Sequence, residues 1–330
     1  MTNRYFMNRL LLACFGVAFA ASAQAGGVRQ VEELDHVPTG KGHGEYHGQG
    51  PHRVQSEPNS SANGSSSGRQ TSSAVTYPQH GIFYHGGPVL GAGSPVNVYY
   101  IWYGNWTGNS AASILEPLAA NLSGTPLFNT NTTYTNSAGT PIANHVVFKQ
   151  ATNNTYGYAQ GVSLSDTAVK NIVANSISTH ALPLDSSGVY FVLTSKDVKE
   201  SSGFCTKYCG WHTAANISGQ IVQYAFVGDP SSQCPNSCSV QGSKGPNGNP
   251  GADAMASVIV HELEEATTDP WLNAWYDSAG AENADKCAWT FGTVSVAGNG
   301  AKYNVNIGGL NYLIQQNWVN AGSGYCAMAF

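Results

Sequence analysis

Apolar and polar positions fall along this chain in short blocks, and each block predicts an element. "VNVYYIWYG", Val96 to Gly104, is an uncharged run of β-branched and aromatic residues, the pattern of a buried strand. Asn109 can then cap a helix running to about Leu122, with Ile114, Leu115 and Leu118 on its inner side. "HVVFKQ", His145 to Gln150, predicts a second strand. Ser165 can cap a second helix that sets Val169, Ile172, Val173 and Ile177 on one stripe, and "GVYFVLTS", Gly188 to Ser195, predicts a third strand. Strand, helix, strand, helix, strand is the order of crossover connections. The expected fold class is therefore α/β (mixed α+β), with a mixed, partly parallel sheet and flanking helices.

Further on, "QIVQYAFVG", Gln220 to Gly228, predicts another strand, placed at the sheet edge. The Gly/Pro/Asn loop "QGSKGPNGNPGAD" leads into a third helix that Asp253 can cap. "KYNVNI" and "NYLIQQNWV" flank Gly308 and Gly309, a C-terminal hairpin signal. The N-terminus has another character. Arg4 and Arg9 precede an apolar run from Leu10 to Ala21 and the small-residue site Ala23-Gln24-Ala25, so residues 1–25 read as a secretory signal. Residues 26–76 hold scarcely an aliphatic side chain between Val54 and Val75, too few to offset the entropy of ordering, and a disordered polar leader is expected. His43, His47 and His52 within it read as part of a solvated linker. One globular domain over residues 77–330 remains, and no later stretch has the length of a membrane span.

Charged residues make up 10% of the chain and the net charge is -5, with no basic cluster, which argues against nucleic acid and anionic membranes as partners. Cys14 leaves with the signal. Cys205, Cys209, Cys234, Cys238, Cys287 and Cys326 remain. Two Cys-x-x-x-Cys pairs invite zinc, but an oxidising compartment favours three disulfides. The expected pairs are Cys205 with Cys209, Cys234 with Cys238, and Cys287 with Cys326. Outside the polar leader the chain shows no Gly-x-Ser-x-Gly elbow, phosphate-binding glycine loop or Cys-x-x-Cys redox pair.

The chemistry concentrates in "VIVHELEE". Of the fourteen acidic residues from Tyr77 onward, seven lie between Glu262 and Asp285 with no basic residue among them. Carboxylates this close either rise in pKa or recruit a cation. On a helix, His261 and Glu265 project from one face, Glu262 lies on an adjacent flank, and Ile259, Leu263 and Ala266 form the inner stripe. His-Glu-x-x-Glu resembles the His-Glu-x-x-His helix of zinc metalloproteases. That zincin-like resemblance implies His261 and Glu265 as Zn²⁺ ligands and Glu262 as the general base acting on metal-bound water. It also implies Glu282 as third ligand with Asp285 as its partner; Asp285 itself and His212 are the alternatives. A carboxylate in place of the second imidazole hardens the site and admits Ca²⁺ or Mn²⁺. The plainer alternative is an amphipathic helix whose glutamates face water, against which the apolar lead-in and the second acidic cluster count. His212 in "CGWH" and His85 in "FYHGG" read first as hydrogen-bonded structural residues. Trp102, Tyr103, Trp106, Trp271, Trp275 and Tyr276 offer either a stacking surface for sugar or peptide, or core packing.

Several phrases in fixed order, "YHGGPVL", "VNVYYIWYGNW", "VYFVLTSKDV", "FCTKYCGWH", "YAFVGD", "QCPNSC" and "VIVHELEEATTDPWLNAWYD", followed by Glu282-x-x-Asp285-x-Cys287, resemble the EXORDIUM or phosphate-induced protein family. The resemblance implies a secreted, extracellular or wall-associated protein, periplasmic in a bacterial setting. It lends no reaction. Two expectations follow. The first is a metal-dependent hydrolase, a zinc peptidase, receiving an extended peptide along the Gln220–Gly228 strand. The second is a non-catalytic secreted protein that binds a cell-wall polymer or a surface receptor, with a structural metal or none.

Overall fold

Five strands, with Lys149 their one Lys, Arg, Asp or Glu, build the central sheet. In the computed structural model, which describes residues 81–153, 158–278 and 280–330, they are β1 (Val96–Tyr103), β2 (Val146–Asn153), β3 (Gly188–Thr194), β4 (Gly210–Ile217) and β5 (Gln220–Gly228). Their spatial order is β2-β1-β3-β5-β4, parallel throughout except for the antiparallel β4–β5 pair. Every residue of β3 is buried, as expected of a parallel strand covered on both faces. The expected signal and leader lie outside the described residues.

One strand assignment needs correction. Gln220–Gly228 is not the edge; it runs between β3 and β4, and β4 is the edge strand. Sequence patterning passes over "GWHTAANI" because its alanines and Asn216 carry little β signal. The β4–β5 turn is Ser218–Gly219, with φ of 53° and 85°, the mirror-image turn that suits a two-residue hairpin. The C-terminal hairpin appears where expected: Val305–Ile307 pairs with Leu310–Tyr312 across Gly308 and Gly309, both at positive φ.

Three helices flank the sheet: α1 (Ala111–Asn121), α2 (Asp166–Ser178) and α3 (Pro250–Thr268). Ser165 caps α2 as expected, its Oγ accepting from Ala168 N at 3.2 Å. Helix α1 starts one residue later than its polar signal suggests, yet Asn109 Oδ1 still accepts from Ala111 N at 2.9 Å. The α3 cap is Asn249 rather than Asp253. Its Oδ1 accepts from Ala252 N at 3.2 Å, and Pro250 takes the first helical position, where a missing N–H costs nothing. Asp253 sits inside the first turn and ties down the preceding loop, accepting from Asn247 N and Nδ2.

Two of the expected disulfide pairs are also corrected. The bonds are Cys205–Cys234, Cys209–Cys238 and Cys287–Cys326. The β4–β5 hairpin sets Gly210 opposite Val227, so the segment before β4 and the segment after β5 become neighbours, and the cysteines pair across them. A first cross-link over 29 residues stabilises by roughly 3–4 kcal/mol in the chain-entropy account, far more than closing a four-residue turn. Among the described residues no helix is long and apolar enough to cross a membrane.

Candidate metal centre

Helix α3 packs against β4 and β5 and also meets α1, which explains why it is buried nearly all round. Gly210 permits the approach to β4: a Cβ there would stand 2.5 Å from Val258 Cγ1 and 3.1 Å from Glu262 Oε1. The last two turns of α3 carry His261, Glu262 and Glu265 into this dry contact. The segment after the helix returns Glu282 and Asp285 to the same place. It is held by the Cys287–Cys326 bond and by Asn283, whose Nδ2 donates to Asn131 Oδ1 at 3.1 Å and to Glu264 O at 3.3 Å.

Two trios result, each with ligand atoms within 4.8 Å of one another. In the first, His261 Nε2 lies 3.1 Å from Glu265 Oε1 and 3.6 Å from Asp285 Oδ1. Asp285 N donates to Glu265 Oε1 at 3.0 Å, and Asp285 Oδ2 accepts from Glu282 N at 3.3 Å. In the second, His212 Nδ1 lies 3.3 Å from Glu262 Oε2 and 3.5 Å from Glu265 Oε2. The other ring nitrogen, Nε2, faces Asp269 O at 3.5 Å and Glu282 Oε1 at 3.8 Å. Asp285, rather than Glu282, thus stands with His261 and Glu265. His212, weighed in the sequence chiefly as a structural histidine, lies inside the cluster. Nothing in its local pattern signals this, because it comes from a strand that patterning did not find.

The cluster is closed to water. The side chains of His212, His261, Glu262, Glu265 and Glu282 are fully buried, and that of Asp285 is 16% exposed. Both nitrogens of His261, both oxygens of Glu282, Glu262 Oε1 and Glu265 Oε2 lack a partner of hydrogen-bond geometry. Each such group costs about 1–3 kcal/mol if it stays unsatisfied. Lys286, the nearest basic residue in sequence, is engaged by Asp277 Oδ2 at 3.0 Å. Protons are left to carry the balance. Burial raises Glu282 well above the carboxylate range, reinforced by Glu265 and Asp269, and raises Glu262 to about 7 against the pull of His212. Burial acts likewise on Asp285. Burial would lower His212, but the hydrogen bond to Glu262 and the Glu265 carboxylate close beside the ring outweigh it and lift the imidazole to about 10. For Glu265, the two imidazoles overcome burial and hold the carboxyl at about 2. A buried set of imidazole nitrogens and carboxylate oxygens with unsatisfied atoms fits a borderline or hard divalent cation such as Zn²⁺ or Mn²⁺.

The remaining candidates lie elsewhere. Trp102 and Tyr103 are core residues, and Trp106 packs edge-on against Trp102. Trp271 is half-buried. His85 accepts a structural place, stacked on Tyr276 at 3.7 Å with its Nε2 3.2 Å from Tyr276 O.

Comparison with known proteins covers this whole assembly. The phosphate-induced protein 1 conserved region matches residues 82–327. Protein EXORDIUM-like 5 of Arabidopsis thaliana is 32% identical over 272 residues, 71% of this chain and 74% of that protein. Protein EXORDIUM-like 3 of the same plant is 33% identical over 279 residues, 74% and 81% of the two chains. No solved structure matches. The matched span takes in all five strands of the sheet, the three helices, the six paired cysteines and every residue of the buried cluster, and the chain belongs to the phosphate-induced protein family, with EXORDIUM-like proteins as its relatives.

Proposed function

We propose that this chain is an exported, non-catalytic EXORDIUM-like protein of the extracellular or cell-wall space, in which a divalent ion on His261, Glu265 and Asp285 braces the fold. The observation that supports it is burial. A hydrolytic metal centre keeps one coordination position open to water and substrate, whereas here Glu262 is fully enclosed against His212 and only Asp285 reaches the surface. The strand expected to receive a peptide is also unavailable, since β5 is paired on both sides. Three disulfides accord with an oxidising compartment.

An outward aromatic face gives the protein a means of contact with wall glycan. Phe83–Tyr84 pairs with Trp275–Tyr276. Tyr84 and Trp275 turn inward, Trp275 onto Tyr134. Phe83, 55% exposed, lies across from Tyr276, on which the His85 ring stacks within 2° of parallel. Flat rings of this kind suit the apolar face of a sugar. The test is co-sedimentation with isolated wall polysaccharide. Retention that survives chelation, persists in Glu262→Gln and falls in Phe83→Ala and Tyr276→Ala is expected; retention equal in all forms contradicts the aromatic contact.

Zinc peptidase activity is the second reading, favoured by Glu262, which burial poises at about 7, in the range of a general base. Chelator-sensitive cleavage of unfolded protein that vanishes in Glu262→Gln would replace the first reading with the second.

A further inference from the structure

We infer that a second divalent ion binds beside the first, held by His212, Glu262 and Glu265, with the Glu265 carboxylate shared between the two ions. The inference rests on the metal-brace reading and extends it from one ion to two. Its basis is the way Glu265 divides. Oε1 faces His261 and accepts from Asp285 N, while Oε2 faces His212 and has no hydrogen-bond partner although fully buried. One carboxylate thus belongs to both trios, with a different oxygen in each.

His212 has the arrangement of a ligand. Its Nε2 looks toward the Asp269 carbonyl at 3.5 Å, which favours a proton on that nitrogen and leaves Nδ1 with a lone pair aimed at Glu262 and Glu265. A ligating histidine commonly fixes its tautomer through a backbone acceptor in this way. The supports are rigid: His212 lies on β4 and both glutamates on α3, brought together at Gly210.

Charge balance separates one ion from two. The carboxylates that touch the two histidines, Glu262, Glu265, Glu282 and Asp285, supply four negative charges when ionised, with Glu264 and Asp269 buried beside them. One divalent ion with neutral imidazoles leaves two of them uncompensated in a water-free space, where isolated charge is expensive. Two ions cancel these four, and the buried Glu265 Oε2, left without a hydrogen-bond partner, then has a cation to face. Glu262 becomes a ligand in this arrangement rather than a base. The metals that fit are those taking mixed nitrogen and oxygen donors, Zn²⁺ and Mn²⁺.

The full exported protein, with its disulfides intact, is stripped with chelator, reloaded with Mn²⁺ and measured for metal content and by electron paramagnetic resonance. Unaltered protein should hold about two equivalents with the broadened signal of adjacent coupled ions, falling to about one in His212→Ala and in His261→Ala, and to nearly none in Glu265→Gln. One equivalent with an isolated-ion signal, lost in His261→Ala and kept in His212→Ala, overturns the second ion and leaves the first. No bound metal overturns both. The resonance signal of the unaltered protein decides the matter even if a variant does not fold.

Discussion

His212 Nδ1 stands 3.3 Å from Glu262 Oε2, although fifty residues separate the two in the chain and both are wholly buried. An imidazole from the sheet edge and a carboxylate from the helix beneath it meet where neither can be hydrated. That contact makes the cluster a nearly closed chamber rather than the rim of a cleft, with only the Asp285 side chain partly exposed.

Stripped of metal, the chamber depends on protons. His212 is raised to about 10 from an ordinary value of 6.5, so the stability it contributes is fully present below pH 6.5 and lost as pH rises toward 10. Glu262, raised to about 7, acts in the same direction at lower pH, from about 4.5 to 7. The denaturation midpoint of the metal-free protein should therefore fall between pH 7 and 10. Metal-loaded protein should hold nearly steady across that window, because its imidazoles are already neutral. Urea denaturation at several pH values, with and without chelator, checks this.

Loading should also release protons. At pH 7 an ion that takes the place of protons on the imidazoles and raised carboxyls expels those protons into buffer, at least one for each histidine it ligates. Titration calorimetry in two buffers of different ionisation enthalpy should give apparent heats that differ accordingly. Equal heats would contradict the protonated metal-free state.

Gly210→Ala tests the approach of helix to sheet. The added Cβ meets Val258 Cγ1 at 2.5 Å and the backbone oxygen of Phe226 at 2.9 Å, so something must shift. A loss of about 1–3 kcal/mol is expected, with reduced metal content. Unchanged stability and metal content would show that the contact is looser than described.

The cystine pairing can be read directly. Peptide mapping of unreduced protein should recover Cys205 joined to Cys234 and Cys209 to Cys238. Replacing Cys209 and Cys238 together by serine should cost about 2–5 kcal/mol.

Much of this fold was legible because burial leaves a mark on composition. The uncharged runs of β1, β3 and β5, the Ser165 cap of α2 and the Gly308–Gly309 turn each express a local rule. So did the gathering of His261, Glu262 and Glu265 on one helix end. What escaped was set by the third dimension. Strand β4 is written in small and polar residues and owes its place to pairing with β5. Cysteine partners follow from that pairing, and so does the entry of His212. The cap of α3 was missed for a local reason: Pro250 marks the first helical position, which makes Asn249 the cap and puts Asp253 in the first turn.

If a bound divalent ion braces the fold, thermal unfolding of the purified protein before and after exhaustive chelation will show it. An ion present at about a hundred times its dissociation constant contributes roughly 2.7 kcal/mol. A clear fall in Tm on chelation, restored by adding back Zn²⁺ or Mn²⁺, is the predicted result. Superimposable curves, from protein whose elemental analysis shows no metal at any stage, would contradict the account.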